Sequence, residues 1–464
     1  MDSHALVPLE KKHETIVYIF NMSEDVWPFI SAMSDTRSRL LEIEENIYLA
    51  DLRLFMFANE DSDILFVSPT EMSDTFTTYF KSLFGIKQIR ILVPKKHSGV
   101  ISNDVLEDEI IMMELVKAAN SSRRLTVTSY ATTLQFLDVI RELRKRSITV
   151  YTPEAPEEED AWTVNFYGSK SGIRQFAQQS GNIEPDFQMA NGLICVGIDD
   201  ASKIAANKYL KEHGVVIKTN KGHAGMGLLL LRQGDLPENY IDCEKAIKKL
   251  LKKESYWDKF PIIIESFIVV NPTIAGGFPN VEFKIAKSGR AELLFVCGMR
   301  MSLSGVFGGI EISDEVMPER IATQIVDTGF FIAEQYAQAG YRGYFDVDFM
   351  LAKNGQLYIT ESNVRSTGGT FVYTLAVKLA GRDFMHTNYI FSNNGYSISH
   401  LAHPTFTSIY ERLQPILFQK SIGEGLVMMS ENLLLMRKFA YVIMAKNKKR
   451  ALEIEARMVE LLKG

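Results

Sequence analysis

The sequence is poor in cysteine and has no long apolar run. Its three cysteines, Cys195, Cys243 and Cys297, are an odd number and lie far apart. They match no metal-ligand spacing, so a disulfide framework is excluded and reduced thiols in a cytoplasmic protein are expected. Apolar runs such as Leu228–Leu231 are far shorter than the roughly 20 residues of a membrane span, so no membrane association is predicted. The first fourteen residues lack an apolar core, and no secretory signal is expected.

The chain also lacks a strong charge of one sign. It has 51 Lys and Arg against 57 Asp and Glu, a net charge of −6. This balance lacks the excess positive charge that is typical of proteins that bind nucleic acid. The basic run at residues 446–450 is more typical of a solvated helix face. Apolar residues make up 46% of the 464 residues, as in a soluble globular protein. At about 150 residues per domain, this length predicts about three domains.

One acidic segment, Pro153–Asp160, divides the chain. It has two prolines and five acidic residues, a composition that resists packing, so a domain boundary is predicted at residue 160. A solvated loop inside one domain is the alternative. Before the segment, strand and helix patterns alternate, which predicts a parallel α/β sheet covered on both faces over residues 1–160. The predicted strands are 15–20, 64–67, 89–93, 125–128 and 148–151, and the helices are 35–49, 104–119 and 134–144. The dinucleotide fingerprint G-x-G-x-x-G does not follow the first strand.

After the boundary the pattern becomes richer in strands. Asp199 and Asp200 are good capping residues for a helix at Ala201–Lys211, and a long helix is predicted at Glu319–Ala339. Strands are predicted at 215–218, 228–231, 261–265, 281–285, 293–296, 345–351 and 356–360. The last two are joined by a hairpin turn signal. The sequence beyond residue 382 predicts a small α+β cap ending in an amphipathic helix, Ala451–Leu462.

The most informative stretch is this predicted hairpin. Asp348 lies on its first strand, and Glu361, Asn363 and Arg365 lie at the end of its second. Strand residues two apart face the same side, and the turn folds Asp348 back toward them. Carboxylate and amide oxygens are the ligands that Mg²⁺ prefers, and an arginine beside them can contact phosphate or carboxylate oxygens. A charged surface hairpin is the alternative, but the flanking apolar residues predict a half-buried one.

Three weaker patterns accompany the hairpin. Lys218 ends an apolar strand before a glycine-rich loop, Lys221–Gly227, whose backbone N–H groups could approach phosphate; a flexible hairpin loop is the alternative. An apolar strand carries Glu265 near its end, where a buried strand is the default interpretation. Lys170 stands at a helix start and would ordinarily be a solvated lysine.

Taken in chain order, these patterns resemble the ATP-grasp superfamily of carboxylate–amine ligases over residues 162–382. The segment Glu361–Thr370, E-S-N-V-R-S-T-G-G-T, is similar to the E-x-N-x-R-x-x-G-G-T signature of the pheganomycin-type peptide ligases. Those proteins carry a pre-ATP-grasp α/β domain, and His13–Ser23 is similar to its opening. The resemblance implies three domains: a parallel-sheet pre-ATP-grasp domain at 1–160, an ATP-grasp domain at 161–385 with a nucleotide lid at about 200–265, and a small C-terminal α+β domain at 386–464.

The resemblance also implies ATP and Mg²⁺, with Mn²⁺ as an alternative, and a role for each matching residue. The implied nucleotide contacts are Lys170, Lys218, the lid glycines Gly222, Gly225 and Gly227, and the backbone of Glu265 and Ile268. The implied metal ligands are Asp348, Glu361 and Asn363, and the implied catalytic residues are Arg365 and Arg300. For the ribose, Asn271 and Glu282 are candidates.

The activity implied by the resemblance is ATP-dependent formation of a peptide or amide bond. ATP would activate a small-molecule or peptide carboxylate as an acyl phosphate, and an amine would displace phosphate. A carboxylase or phosphotransferase on the same fold is one alternative, and a non-catalytic nucleotide-binding module is another. A homodimer is left open, and no nucleic-acid partner is expected.

Overall fold

The computed structural model describes residues 14–58, 60, 62–86, 88–223, 225–302 and 305–463. Residues 1–13, on which the secretory-signal expectation and the start of the His13–Ser23 resemblance rest, lie outside the described residues, as does Ala224 in the glycine-rich loop. Among the helices that the structure does describe, none is both long and apolar enough to cross a membrane.

The N-terminal unit is a parallel five-stranded sheet flanked by helices. Its strands lie in the order β3-β2-β1-β4-β5, and all five residues of β1 are buried, as expected for a central parallel strand. Its elements are β1 (Thr15–Ile19), α1 (Met22–Asp25), α2 (Trp27–Ser31), α3 (Thr36–Tyr48), β2 (Asp63–Val67), α4 (Asp74–Phe84), β3 (Ile89–Leu92), α5 (Ile101–Glu107), α6 (Glu109–Ser121), β4 (Leu125–Ser129), α7 (Leu134–Lys145) and β5 (Val150–Tyr151).

Two sequence predictions for this unit were wrong. The helix predicted over residues 104–119 is two helices, α5 and α6, because Asp108 has an extended backbone and its side chain accepts a hydrogen bond from the Ile110 N–H at 3.1 Å. The acidic segment Pro153–Asp160 does pack. Glu154 pairs with Lys284 at 2.6 Å and Glu157 with Lys287 at 2.6 Å, so partners elsewhere in the chain neutralise carboxylates that composition alone shows as repelling.

A small antiparallel sheet follows, with strand order β6-β9-β7-β8. Its elements and the helices around it are α8 (Trp162–Tyr167), α9 (Lys170–Ser180), β6 (Gly192–Cys195), α10 (Ile198–Glu212), β7 (Gly214–His223), β8 (Met226–Arg232), α11 (Tyr240–Leu251), α12 (Tyr256–Lys259) and β9 (Ile262–Ser266). The capping prediction for α10 was wrong. Gly197, at φ +91°, is its N-cap, and Asp199 and Asp200 lie inside the first turn.

The large sheet has eight antiparallel strands in the order β14-β13-β10-β11-β12-β15-β17-β16. Its elements are β10 (Pro279–Ile285), β11 (Ala291–Met301), β12 (Phe307–Ile312), α13 (Glu319–Gln338), β13 (Gly343–Leu351), β14 (Leu357–Asn363), α14 (Thr370–Ala380), α15 (Phe384–Thr387), β15 (Tyr389–Ser397), α16 (Phe406–Leu413), β16 (Gly425–Met428), β17 (Lys438–Ala445) and α17 (Lys448–Lys463). Strand β12 had no counterpart in the sequence predictions. Through β12 and β15 the C-terminal strands continue this sheet rather than forming one of their own.

A 3₁₀ helix and a shared core join the N-terminal unit to the large sheet. The 3₁₀ helices are Asp51–Phe57, Glu158–Asp160, Ala275–Gly277, Gln414–Ile416 and Asn432–Met436. Helix α14 packs on the first of them, and one apolar core contains residues of both the N-terminal unit and the C-terminal strands. Another core joins α13 to β10 and β13. The N-terminal unit is therefore packed directly against the sheet that carries the predicted hairpin.

Candidate active site

The hairpin of β13 and β14 brings the predicted metal ligands together. Asp348 lies directly opposite Glu361, and Asp346 lies opposite Asn363. The alternation of side chains along a strand places all four on one face of the large sheet. The turn signal and the spacing of two were sufficient to predict this pairing, but Asp346, two residues before Asp348, was missed although the same spacing identifies it.

Both aspartates are buried in a network of amides. Asp348 Oδ1 accepts from Asn280 Nδ2 at 2.6 Å, and its Oδ2 accepts from Asn363 Nδ2 at 3.1 Å. Asp346 Oδ1 accepts from Asn363 Nδ2 at 3.0 Å. Burial raises the pKa of Asp348 well above its usual range, and the nearby charges of Asp346 and Glu361 raise it further. Burial also raises the pKa of Asp346. The carboxylates therefore lie in a place where a cation would be stabilising.

Glu361 differs from the aspartates because a lysine neutralises it. Lys170, in the first turn of α9, places its Nζ 2.6 Å from Glu361 Oε2. The positive charge of Lys170 lowers the pKa of Glu361, against the effect of burial, and Lys218 and Arg365 lower it further. Three of the predicted cationic residues thus act on one carboxylate.

Lys218 and Glu265 form a second buried cluster on the small sheet. Lys218 Nζ lies 2.8 Å from Glu265 Oε2, and Arg174 on α9 also pairs with Glu265. Burial would raise the pKa of Glu265, but the charges of Lys218 and Arg174 hold it below its usual value. A buried charge needs such partners. Arg174 was missed because it lies on a helix far from Glu265 in sequence; its place four residues after Lys170 is the one signal.

The small sheet is tied to the hairpin at both of its connections. Before β6, the Ile359 N–H donates to the Gln188 carbonyl at 2.7 Å. After β9, the Asn271 N–H donates to the Leu351 carbonyl at 2.8 Å. These bonds place the Lys218 cluster beside the hairpin. Ile268, half-buried, lies in the connection that follows β9.

The predicted lid glycines belong to the hairpin of β7 and β8, which we call the glycine hairpin (residues 221–227). Gly222 is the second-last residue of β7, Gly225 lies in the turn at φ +84°, and Gly227 is the second residue of β8, at φ +75°. Two of the three thus adopt a backbone conformation that favours glycine. A Cβ on Gly225 would lie 3.2 Å from Val306, so the turn lies against the loop between β11 and β12.

Arg365 is held by groups from the N-terminal unit as well as by the hairpin. Its Nε donates to Asp25 Oδ2 at 3.0 Å and its NH2 group to Asn363 Oδ1 at 3.1 Å. The guanidinium also lies over the Tyr130 ring, 5.0 Å from the centroid. Asp25, Tyr130 and the buried Arg53, which lies 4.7 Å from the Tyr130 ring centroid, were missed because no local pattern links them to the hairpin.

Arg300, the second predicted catalytic arginine, makes its contacts in another cluster. It donates to the Ser392 carbonyl at 3.2 Å and pairs with Glu455 on α17 at 3.5 Å. Its guanidinium lies 4.7 Å from the ring centroid of Phe391. These are contacts with the C-terminal strands and helix, distinct from those of Arg365.

Both ribose candidates accept hydrogen bonds from within the chain. Glu282 is fully buried and accepts from Thr367 Oγ1 at 2.6 Å and from the Thr370 hydroxyl. Burial, reinforced by the charge of Asp346, raises its pKa to about 8. The Asn271 side chain accepts from the Thr273 N–H at 3.1 Å, a local turn.

The predicted metal ligands fit a hard cation by their chemistry. Asp348 and Glu361 supply carboxylate oxygens and Asn363 an amide oxygen, the set that suits Mg²⁺. Among the residues that the structure describes, no three His, Cys, Asp or Glu side chains are arranged to hold a metal ion. Lys170, Asn280 and Asn363 donate to carboxylate oxygens, and Arg365 donates to the Asn363 amide oxygen, so a cation would have to replace these donors.

Comparison with known proteins identifies the fold. Residues 51–145 match the family model of the pre-ATP-grasp domain, within the predicted N-terminal α/β domain. A biotin carboxylase from Campylobacter jejuni, crystallised as a beta-gamma-ATP complex, is similar with a TM-score of 0.57 and 13% identity, covering 96% of this chain and 90% of that chain. An N5-carboxyaminoimidazole ribonucleotide synthetase bound to ADP is similar with a TM-score of 0.53 and 13% identity, covering 96% of both chains.

A third similar structure is the biotin carboxylase domain of a 2-oxoglutarate carboxylase from Hydrogenobacter thermophilus, with MgADP, ADP and bicarbonate. Its TM-score is 0.53 at 12% identity, covering 97% of this chain and 89% of that chain. No curated protein sequence matches the chain. At these identities the likeness establishes the fold, which is the predicted ATP-grasp architecture preceded by a parallel α/β domain.

Proposed function

We propose that the chain is an Mg-ATP-dependent carboxylate–amine ligase that forms a peptide or amide bond through an acyl phosphate. The observation that carries this proposal is the pairing of Lys170 with Glu361 at 2.6 Å, beside Lys218 and Arg365, whose charges also lower the pKa of Glu361 from two other elements. Buried cations around carboxylates form a suitable site for a metal nucleotide, because phosphate and cation can exchange partners with them.

In this proposal the cationic residues bind the phosphates of ATP and the group that is transferred. Lys170 and Lys218 would leave their carboxylate partners for ATP phosphate oxygens, and Arg365 would stabilise the transferred phosphoryl group and the tetrahedral intermediate. Mg²⁺ bound by Asp348, Glu361 and Asn363 would supply charge neutralisation at the phosphates. Glu265 and Ile268 would contact adenine through their backbone, and the glycine hairpin would cover the phosphates and exclude water.

Arg300 has a second role in the proposal. It lies on β11 and is half-buried beside the C-terminal helix. We assign it to the acid or amine side of the reaction rather than to the nucleotide, because its partners are the C-terminal strands and not the cluster of Lys170 and Lys218. We also propose that domain boundaries lie at residues 160 and 385.

The test is the stoichiometry of the products. Candidate acid and amine pairs are screened for ADP release, and products are identified by mass. One ADP and one phosphate should appear for each amide, and hydroxylamine should trap the activated acid as a hydroxamate. AMP and pyrophosphate would instead show adenylation and contradict the acyl phosphate. ATP binding without turnover over a broad screen would favour a nucleotide-binding module.

A carboxylase is the second candidate, and the similar structures favour it. They include biotin carboxylases and N5-carboxyaminoimidazole ribonucleotide synthetases over nearly the whole chain, one of them with bicarbonate. In that case bicarbonate would be the acid. The discriminating measurement is ADP release with and without labelled bicarbonate: dependence on bicarbonate, with label in the product, would select carboxylation over ligation of a larger acid.

A further inference from the structure

One short segment of the N-terminal unit, residues 21–34, touches both Arg365 and the small sheet. It contains α1 and α2, which are separated by Val26 alone. At the α1 end, Asp25 Oδ2 accepts from Arg365 Nε at 3.0 Å, and each side chain of this pair is only 19% exposed. Since water is largely excluded, this charge-assisted bond fixes the orientation of the guanidinium.

The α2 end is part of the core of the small sheet. Phe29 is fully buried there, with its ring centroid 4.6 Å from that of Tyr256. The Ser255 hydroxyl donates to the Ala32 carbonyl at 2.5 Å, and the Ser255 N–H donates to Ser34 Oγ at 3.0 Å. The small sheet therefore docks on the same segment that holds Arg365.

The start of the segment is anchored in the N-terminal unit. Asn21 exchanges two hydrogen bonds with the backbone of Ala131, at 2.9 and 3.1 Å. The buried Glu24 accepts from the Thr133 hydroxyl at 2.7 Å and from the Ser102 hydroxyl at 3.0 Å. Asp25 therefore lies between this anchor and the docked Phe29, and both contacts constrain its position.

We propose that segment 21–34 couples the docking of the small sheet to the position of Arg365, with Asp25 as the positioning residue. Docking of Phe29 stabilises the segment, and the stabilised segment holds Asp25 against the guanidinium. The catalytic meaning of the coupling rests on the proposed function, whereas the coupling itself is a property of the fold and is testable without substrate.

The substrate-free test is hydrogen exchange in the full chain. The reporter is residues 362–370, where the Ser366 N–H donates to the Tyr130 carbonyl. Phe29→Ala should speed exchange both in residues 214–232 and in the reporter, whereas the isosteric Asp25→Asn should speed it in the reporter alone. If Phe29→Ala fails to fold, Ser255→Ala loosens the same docking more mildly. Faster exchange confined to residues 214–232 would overturn the coupling.

A matched control comes from another ion pair between the N-terminal unit and the C-terminal strands. Glu45 pairs with Lys438 at 2.6 Å and makes no contact with Arg365 among the described residues. Glu45→Gln should leave exchange in residues 214–232 and in the reporter unchanged. An equal effect of Glu45→Gln on the reporter would show general loosening and overturn a specific role for Asp25.

The catalytic test uses Mg-ATP and an acid that supports ADP release. Asp25→Asn should lower kcat about tenfold with an unchanged KM for ATP, and Asp25→Glu should restore part of the loss. In the Arg365→Lys background, Asp25→Asn should have no further effect, since it acts through Arg365. Additive losses would overturn positioning. If the wild-type chain releases no ADP with any acid in the screen, the proposed function is contradicted. The hydrogen-exchange experiment then decides by itself whether the coupling exists.

Discussion

At the scale of single residues, the candidate site is governed by pairing of buried charges. Lys218 and Glu265 are 8% and 5% exposed, and neither would be tolerated there alone. Lys170 and Glu361 form a more open pair, with side chains 20% and 35% exposed. Breaking a buried pair leaves an uncompensated charge that costs several kcal/mol, so a variant at the Lys218–Glu265 pair must keep the remaining charge paired.

Lys218→Ala meets that condition, because Arg174 still neutralises Glu265. We expect a folded variant whose affinity for Mg-ATP is at least about tenfold weaker, which corresponds to about 1.4 kcal/mol. Isothermal titration measures it. Lys208→Ala, which removes an ion pair with Glu212 on α10, is the control and should bind normally. Equal affinities of the two variants would remove Lys218 from the nucleotide site.

Glu361→Gln tests the metal role. The amide keeps the shape but removes the charge that Lys170 and a cation would share. We expect turnover to fall by about a hundredfold or more, because charge stabilisation at transferring phosphoryl groups is of this size. Folding should change little, as measured by urea unfolding. Arg365→Lys should also lose most activity, since lysine lacks the planar fork. Activity near wild type in Glu361→Gln would rule out Glu361 as a metal ligand.

At the scale of elements, the glycine hairpin is shaped by close approach. Gly227 adopts a left-handed conformation, and a Cβ there would clash with the Thr219 side chain and lie 3.4 Å from Phe29. The hairpin therefore packs on the N-terminal unit with no room for a side chain at this position.

Nucleotide binding that orders the hairpin should slow its hydrogen exchange. If Mg-ATP leaves the exchange rates of residues 214–232 unchanged, the hairpin is not a lid.

Gly227→Ala should loosen the packing of this hairpin against Phe29. The substitution adds backbone strain of about 1 kcal/mol together with the steric conflict. Gly234→Ala is the matched control, because Gly234 also has a positive φ, +92°, but no atom lies within 4 Å of a Cβ there. Both should lose stability in thermal unfolding, and only Gly227→Ala should speed hydrogen exchange at Phe29. Identical behaviour of the two variants would show that close packing at Gly227 is unimportant.

At the scale of the whole molecule, the N-terminal unit and the C-terminal strands are joined by a buried carboxylate. Asp51 Oδ2 accepts from the Ser430 hydroxyl at 2.9 Å and from the backbone N–H groups of Glu431 and Asn432, both at 2.8 Å. Burial raises the pKa of Asp51 to about 7, against the effect of these bonds. The junction between the two ends of the chain is therefore sensitive to pH.

The sign of that sensitivity follows from proton binding. The pKa of Asp51 is about 7 in the folded chain and about 3.9 when unfolded, so the folded state binds more protons between these values. The free energy of unfolding should therefore fall as pH rises from about 4 to about 7. Asp51→Asn removes the titration, so its stability relative to wild type should improve between pH 5 and pH 8 in urea unfolding. Asp74→Asn, the control at an exposed position, should show no such change. If Asp51→Asn shows none either, burial does not raise the pKa of Asp51.

The sequence was sufficient for features that depend on neighbours along the chain. Alternating strand and helix patterns predicted the parallel sheet, because burial on both faces requires continuous apolar strands such as Thr15–Ile19. The turn signal and the period of two predicted that Asp348 and Glu361 would meet. Capping was predicted less well. Gly197 acts through its backbone conformation, which composition does not reveal, and Asp108 caps α6 with its side chain inside a stretch whose apolar period continues.

Tertiary structure alone decided the contacts between distant segments. Arg174 meets Glu265, Asp25 meets Arg365, and the acidic segment finds Lys284, each across at least 90 residues. It also decided that the C-terminal strands extend the large sheet and that Arg300 turns to Glu455. The physical reason is that a buried charge needs a partner of opposite charge. The sequence contains many lysines, arginines and carboxylates that could be that partner. Only the packed chain, by removing water from particular pairs, selects which ones meet.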